Sequence, residues 1–345
     1  MTRIGLLAMA LAWVQALPAP APAATPITVA ASGDLLIHTP VAARALALGG
    51  GARYDFAPLF KPVRRHIAGA DLAICHVETP LVPGPVLGYP SFRTPPALAD
   101  AIRRVGWDVC TTASNHSLDA GQYGIGTTLR ALDRAGVQHA GTARSAVERR
   151  RTTVIDAGDT RVALLSYTAV SNGQAVPHPW SVNWASAPRI LADARRARGR
   201  GAELVIVGLH WGTEYVHAIS PAQRSLAERL ARSPAVDAIV GQHAHVVQPI
   251  RWVGDKPVVF GEGNLVSNQT PACCPAAAQD GLIALIDFEP VADDAALRAA
   301  RVRYVPTYVR HPDYSVVPAV PGSVPWERTV AVAGRRPRVR PIAPR

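Results

Sequence analysis

Lysine is almost missing from this chain: only Lys61 and Lys256 occur in 345 residues, so the formal charge of +11 rests nearly wholly on arginine. Aromatic residues are sparse, at 6%, and they do not interleave with the basic ones, which argues against a nucleic-acid surface. Beyond the N-terminus no apolar run approaches the ~20 residues that a membrane-spanning helix needs. No internal repeat and no linker-like stretch divides the sequence, so a solenoid or a string of small domains is excluded. Cysteine is limited to four residues. Cys75 and Cys110 occupy comparable places on two strands expected to be neighbours, and a disulfide and two buried thiols both stay open. Cys273 and Cys274 lie in a Pro-rich loop, where a tie to another cysteine or free thiols are the alternatives, since adjacent cysteines rarely bridge each other.

The first 24 residues carry Arg3, an apolar run from Ile4 to Leu17, and the small-residue stretch Ala21-Pro22-Ala23. These are the three parts of a secretory signal, over residues 1–24. Export makes the mature protein secreted or extracytoplasmic, membrane-anchored if the segment stays uncleaved, and it permits disulfides. Residues 25–330 are expected to form one α/β domain, and residues 331–345 a basic, disordered tail in which Arg and Pro alternate. The basic charge has two readings: attraction to an anionic polymer or the cell envelope, or compositional bias. Arginines scattered over expected helix faces, such as Arg195, Arg196, Arg198 and Arg200, favour the second.

Apolar runs read as strands at Ile27 to Gly33, Leu72 to Val77, Asp108 to Ala113, Leu204 to Leu209 and Val236 to Val240, with later strands at Pro257 to Phe260, Leu282 to Phe288 and Arg301 to Tyr308. Helical spacing marks Val41 to Leu48, Ala57 to Ala68, Leu98 to Val105, Gly121 to Ala135, Pro188 to Arg200 and Pro221 to Arg232. Gly106 and Gly136 close two of these helices. Asp156-Ala157-Gly158-Asp159 marks a hairpin turn, while Pro80 to Pro96 and Asn172 to Ala187 read as loops. Alternating strands and helices followed by late strands without helices predict one α/β domain with two mixed sheets.

Five of the strand ends deliver a residue able to bind metal. They are Asp34, Glu78, the pair Asn115 and His116, His210, and His243 with His245 in Gln242-His243-Ala244-His245. Ligands of open α/β sheets bind at the carboxyl ends of strands. His-X-His alone is also an ordinary core feature, but five strand ends in agreement point to one pocket. Asp34 and Glu78 can supply negative charge to divalent ions, Asn115 an amide oxygen, and His210, His243 and His245 imidazole nitrogen. His116 is then the candidate general acid, its alternative role being a helix-start histidine donating to backbone.

The ordered motifs Gly33-Asp34, His76-Val77-Glu78-Thr79-Pro80-Leu81, Ser114-Asn115-His116-Ser117-Leu118-Asp119, Leu209-His210-Trp211-Gly212-Thr213-Glu214-Tyr215, Gly241-Gln242-His243-Ala244-His245-Val246 and Phe260-Gly261-Glu262-Gly263-Asn264 resemble those of the CapA family. These are capsule synthesis proteins linked to poly-γ-glutamate and similar to calcineurin-type metallophosphoesterases. The resemblance runs from about Ile27 to about Phe288. It implies a metallophosphoesterase-like sandwich of two mixed β-sheets flanked by helices, with two divalent ions (Mn, Fe or Zn) at the strand ends. It also implies an acidic polymer such as poly-γ-glutamate, and capsule synthesis partners. Phosphoesterases of this type carry Asp-X-His on the first strand, whereas here the histidine, His38, follows later; His38 or Glu214 is expected to fill that place. Glu214 can instead orient a ligating histidine, Asn264 can fix a loop or donate late, and Trp211 and Tyr215 line the site or pack beneath it. Two functions follow: a metal-dependent hydrolase cleaving a phosphoester or an amide, and a non-catalytic polymer-binding or assembly factor on the same scaffold.

Overall fold

The computed structural model describes residues 25–291 and 296–344, so the signal expected over residues 1–24 lies outside the described residues. The first part of the chain runs β1 (Ile27–Leu35), α1 (Thr39–Leu48), α2 (Arg64–Ile67), β2 (Leu72–Val77), α3 (Ala97–Val105), β3 (Val109–Thr111), α4 (Gly121–Ala135) and β4 (Gln138–Ala140). The middle runs α5 (Ala146–Arg149), β5 (Thr153–Ala157), β6 (Thr160–Thr168), α6 (Ala187–Gly199), β7 (Leu204–His210), α7 (Pro221–Ala231), β8 (Ala238–Gln242), β9 (Ile250–Val253) and β10 (Lys256–Val259). The last part runs β11 (Asn264–Val266), β12 (Asp280–Pro290), β13 (Leu297–Arg310), β14 (Ser315–Pro318), α8 (Val324–Ala333) and β15 (Val339–Pro341).

Two mixed sheets result. One has the order β14-β13-β12-β1-β2-β3-β4, with β11 beside β1 and β15 beside β13; the other has the order β5-β6-β7-β8-β10-β9. Side chains alternate across a strand, and the buried residues sort by that rule. Val29 and Ala31 of β1, Leu72 and Ile74 of β2, Leu204 and Ile206 of β7, and Ala238 and Val240 of β8 share one core between the sheets. The residues between them face outward: Ala73 and Cys75 pack toward α1 and α3, while Val205, Val207 and Ile239 pack toward α6 and α7. Strands covered on both faces read as continuous apolar runs, which is why β1, β2, β7 and β8 are visible in the sequence.

The helix expected over 57–68 is broken into a 3-10 turn at Ala57–Phe60 and the short α2, with Pro62 at the break. A proline has no N–H to continue the ladder. Gly106 and Gly136 end α3 and α4 in the left-handed region, at φ 114° and 72°. Cys75 and Cys110 are register partners on β2 and β3 and form a disulfide, whereas Cys273 and Cys274 are free. No helix among the described residues is long and apolar enough to cross a membrane.

The tail overturns the expectation of disorder. β13 is long enough that one of its edges carries two short strands: β14 along Thr307 to Arg310 and β15 along Val302 to Tyr304. Alternation within Arg338-Val339-Arg340-Pro341 sends Val339 into the core between the sheets, where it is 1% exposed. Ile342 N–H donates to the Tyr304 carbonyl at 2.7 Å, and the Arg338 guanidinium lies 3.2 Å over the Trp252 ring. The Arg-Pro pattern is thus a strand with an apolar inner face and a basic outer one. Burying a valine is worth roughly 1.5–3 kcal/mol, so a chain ending at Gly334 should melt several degrees lower than the full chain. A dispensable tail would leave the melting temperature unchanged.

Candidate metal centre

The apolar alternation that fills the space between the sheets also builds the site. On β2, Leu72 and Ile74 point toward the second sheet, so His76 and, just past the strand, Glu78 share their face. On β7, Leu204 and Ile206 do the same, which puts Gly208 and His210 on that face. On β8 the sequence Ala238, Val240, Gln242 leads to the turn carrying His243 and His245. Gly208 permits the close approach of the sheets here, because a Cβ on it would lie 2.7 Å from Thr111 Cγ2. Asp34 is aimed by a bulge: Ala31 pairs with Ile74, yet Asp34, three residues on, pairs with His76, only two residues on. At the same place Gly33 lets β11 approach, since a Cβ would meet the Gly263 carbonyl oxygen at 1.9 Å, and Asp34 N–H donates to that oxygen at 3.0 Å.

Four imidazoles form a row. Ring centroids are 4.9 Å apart for His76 and His210, 4.7 Å for His210 and His243, and 6.0 Å for His243 and His245. His245 Nδ1 lies 3.1 Å from Asp34 Oδ2 and 3.0 Å from Asn264 Oδ1, which turns its Nε2 toward Glu78 Oε1 at 3.7 Å. His210 Nε2 lies 2.8 Å from the Asn115 amide oxygen and 4.0 Å from Glu78 Oε1. His243 and His245 both have positive φ, 92° and 54°. Such backbone is uncommon outside glycine and clusters at functional sites.

Ligand atoms gather in three overlapping groups, each within 4.8 Å: Asp34, His76 and His210; Asp34, Glu78 and His245; and Glu214, His243 and His245. Asp34, Glu78 and all four histidines are at most 3% exposed. Even so, both Glu78 carboxylate oxygens, His76 Nε2, His210 Nδ1 and His243 Nδ1 have no hydrogen-bond partner. Buried polar atoms are nearly always paired, so this concentration of unpaired acceptors and nitrogens fits a divalent cation rather than an ordinary core. The electrostatics agree. Burial holds His76 down at about 4 and His243 at about 3, and lowers His210 well below the ordinary range, so all three are neutral donors near pH 7. Burial pushes the Glu78 carboxyl up. Against its own burial, His245 is raised to about 9 by Glu78 and Asp34, its proton standing in for part of a cation's charge.

His116 lies in the loop after β3. Its Nδ1 is 2.8 Å from Asp119 Oδ2, and Asp119 is itself held by Phe92 N–H at 2.7 Å and Gln174 Nε2 at 2.8 Å. Asn115 Nδ2 donates to Asn172 Oδ1 at 3.2 Å, which turns the Asn115 oxygen toward His210. The loop 172–187 therefore reaches the site through Asn172 and Gln174. Trp211 packs beneath the site, donating to the Phe260 carbonyl at 2.8 Å, while Tyr215 lies with its ring 6.0 Å from His245.

The two expected substitutes for a first-strand histidine part company. Glu214 joins the group with His243 and His245, although it is exposed. His38 is in none of the three groups; it opens α1, and its Nδ1 accepts from Asn268 N–H at 3.2 Å while its ring meets the edge of Phe92. Asn264 orients His245 and is anchored in turn by Gln269 and the Ala278 carbonyl. Sequence reasoning missed His76. The period-two rule points to it: it stands two residues before Glu78 on a strand, hence on the same face. A separate hollow lies away from this site, between β4, β6 and α6, and its walls carry the pairs Arg149–Asp193, Arg196–Asp193 and Arg144–Glu148.

Two facing mixed sheets, helices outside, and a histidine–carboxylate pocket at the strand ends define a metallophosphoesterase-like α/β sandwich. Residues 28–269 match the model of the family described as bacterial capsule synthesis protein PGA_cap, and the chain belongs to that family. A Mycobacterium tuberculosis protein described as a probable polyglutamine synthesis accessory protein is 30% identical over 191 residues, 51% of this chain and 50% of that one. The capsule biosynthesis protein CapA of Bacillus anthracis is 29% identical over 174 residues, 49% of this chain and 42% of that one. The chain spans about half the length of the curated relatives it matches. Among solved structures, a candidate 5′-nucleotidase from Staphylococcus aureus superposes with a TM-score of 0.50 at 14% identity, covering 87% of this chain and 55% of that one, a likeness of fold alone.

One buried carboxyl beside the site has a measurable consequence. Glu262 Oε2 accepts from Gln242 Nε2 at 2.8 Å, and burial pushes the group up to about 8, with Gln242 partly opposing. A carboxyl raised on folding stabilises fully below its unfolded value, ordinarily near 4.5, and that stabilisation is lost as pH rises through 8. In metal-free protein, Glu262→Gln should match the wild type near pH 4.5 and exceed it by a few kcal/mol at pH 8. Parallel stability–pH curves for the two proteins, from denaturant unfolding, would contradict a neutral buried Glu262.

Proposed function

We propose that this protein is an extracytoplasmic, metal-dependent hydrolase of capsule synthesis, acting on a phosphoester or amide bond of an anionic polymer of the poly-γ-glutamate kind. The observation that carries the reading is the set of buried, unpartnered ligand atoms at the strand ends. Asp34, Glu78, Asn115, His210, His243 and His245 would hold two divalent ions. Ions so held supply Lewis-acid polarisation and an activated water near neutral pH. Asp119 fixes the tautomer of His116, with the proton on Nδ1 committed to the carboxylate, so that Nε2 is the nitrogen that exchanges a proton with the leaving group. The net positive charge draws a polyanionic substrate toward the surface. The family's link to capsule synthesis supports both the polymer and an exported chain, for which residues 1–24 serve as the signal.

Metal analysis of the purified protein, joined to turnover assays on bis-p-nitrophenyl phosphate and on poly-γ-glutamate, tests the reading. His243→Ala should lose bound metal and turnover together. His116→Ala should keep its metal and lose roughly 10²–10⁴-fold in kcat, the usual contribution of a positioned acid. Polymer binding that survives in both variants, with no turnover of either substrate by the wild type, would instead establish the non-catalytic assembly factor.

A further inference from the structure

His76 is not among the residues to which the proposed function assigns metal, and the hydrogen bonds around it say what its free nitrogen is. Thr111 Oγ1 lies 3.2 Å from the Cys75 carbonyl oxygen and donates its single hydrogen there. The same oxygen is 2.7 Å from His76 Nδ1, so in this second contact it accepts, and the imidazole hydrogen is on Nδ1. Nε2 of the neutral ring is therefore a bare lone pair. It is fully buried, has no hydrogen-bond partner, and faces Asp34 Oδ1 at 3.9 Å. Two acceptors set face to face in a dry site repel unless something positive lies between them.

The surroundings hold the ring in that attitude. Thr111 is on β3 in register with His76 on β2, and the disulfide between the preceding residues, Cys75 and Cys110, ties the two strands together. From the opposite sheet, the bare backbone of Gly208 abuts the Thr111 methyl, so the hydroxyl has little room to turn away. Asp34 is the register partner of His76 on β1, and His210 stands across the gap with its ring 4.9 Å away. A satisfied core histidine would use both nitrogens; this one has one nitrogen anchored and the other presented to two ligand-type neighbours.

We propose that His76 Nε2 is a metal ligand, completing with Asp34 and His210 a cation site in which β2 supplies the imidazole that β1 lacks. Thr111 is its positioning residue, polarising the Nδ1–H as a partner of a ligating histidine does. The inference rests on the two-ion reading and is tested separately from it by titrating the full chain, freed of metal, with Co(II).

Wild-type protein should take up two Co(II) per chain, and its spectrum should include a solvent-protected, paramagnetically shifted N–H proton from His76. His76→Ala should bind one ion with wild-type affinity, bind the second at least ten-fold more weakly, and lack the shifted proton. Thr111→Val keeps the imidazole and the fold, and should weaken the same ion by about 10–100-fold. His38→Ala should leave both affinities unchanged. Two ions bound with wild-type affinity by both His76→Ala and Thr111→Val would overturn the assignment while the two-ion reading stood. A wild-type chain that binds no Co(II) would end both.

Discussion

Placing Asp34 and Glu78 together in a dry seam, on either side of the His245 imidazole, is the constraint to which the rest of the fold is fitted. Removing a carboxylate from water costs several kcal/mol, and Glu78 regains none of it through hydrogen bonds. The chain cannot place such a group by its own preference. It is carried there by β1, β2, β7 and β8, whose aliphatic residues bury themselves between the sheets three or four positions earlier. The hydrophobic seam is thus both the source of stability and the positioning device, and the polar cluster is the point where the seam stops being apolar.

That arrangement explains which parts could be read from the sequence. The strands bearing Asp34, Glu78, His210 and the two late histidines are long apolar runs, covered on both faces, and the residue ending each run is conspicuous. α4, opened and closed by glycines, is equally plain. The pairings of β4, β9, β11 and β15 are not, because three- and four-residue strands are defined by the neighbour they join and not by a pattern of their own. The Arg-Pro tail is the clearest case: its composition reads as solvated, yet Val339 finds a pocket prepared by β13. His76 was hidden in the opposite way, inside a run taken whole as core.

His38 shows why proximity in sequence misleads at a strand end. It follows Asp34 by four residues, but β1 finishes at Leu35 and the chain turns at once into α1, with Leu36 N–H bound to Val266. The ring is carried to the rim against Phe92, away from the ligand groups. His76 is far from Asp34 along the chain and beside it in the sheet. In a parallel sheet the register partner, not the sequence neighbour, shares the site.

The proposed ligands and the proposed acid are mounted differently, and the difference follows from what each must do. Cation ligands must keep their geometry to within a fraction of an ångström, which strand ends and a disulfide between adjacent strands favour. A proton donor must meet a substrate arriving from solvent, and His116 accordingly sits in a loop against Phe92, with Asp119 behind it. That loop is still not free. Ser114 Oγ donates to the Glu78 carbonyl at 2.7 Å, Ser117 Oγ donates to the Thr112 carbonyl at 2.9 Å, and the Pro-rich loop is pinned by Thr94 N–H to the Pro80 carbonyl at 3.0 Å. The backbone that delivers Glu78 therefore also holds the segment that delivers His116, and a shift in one strand end would move the proposed ligand and the proposed acid together.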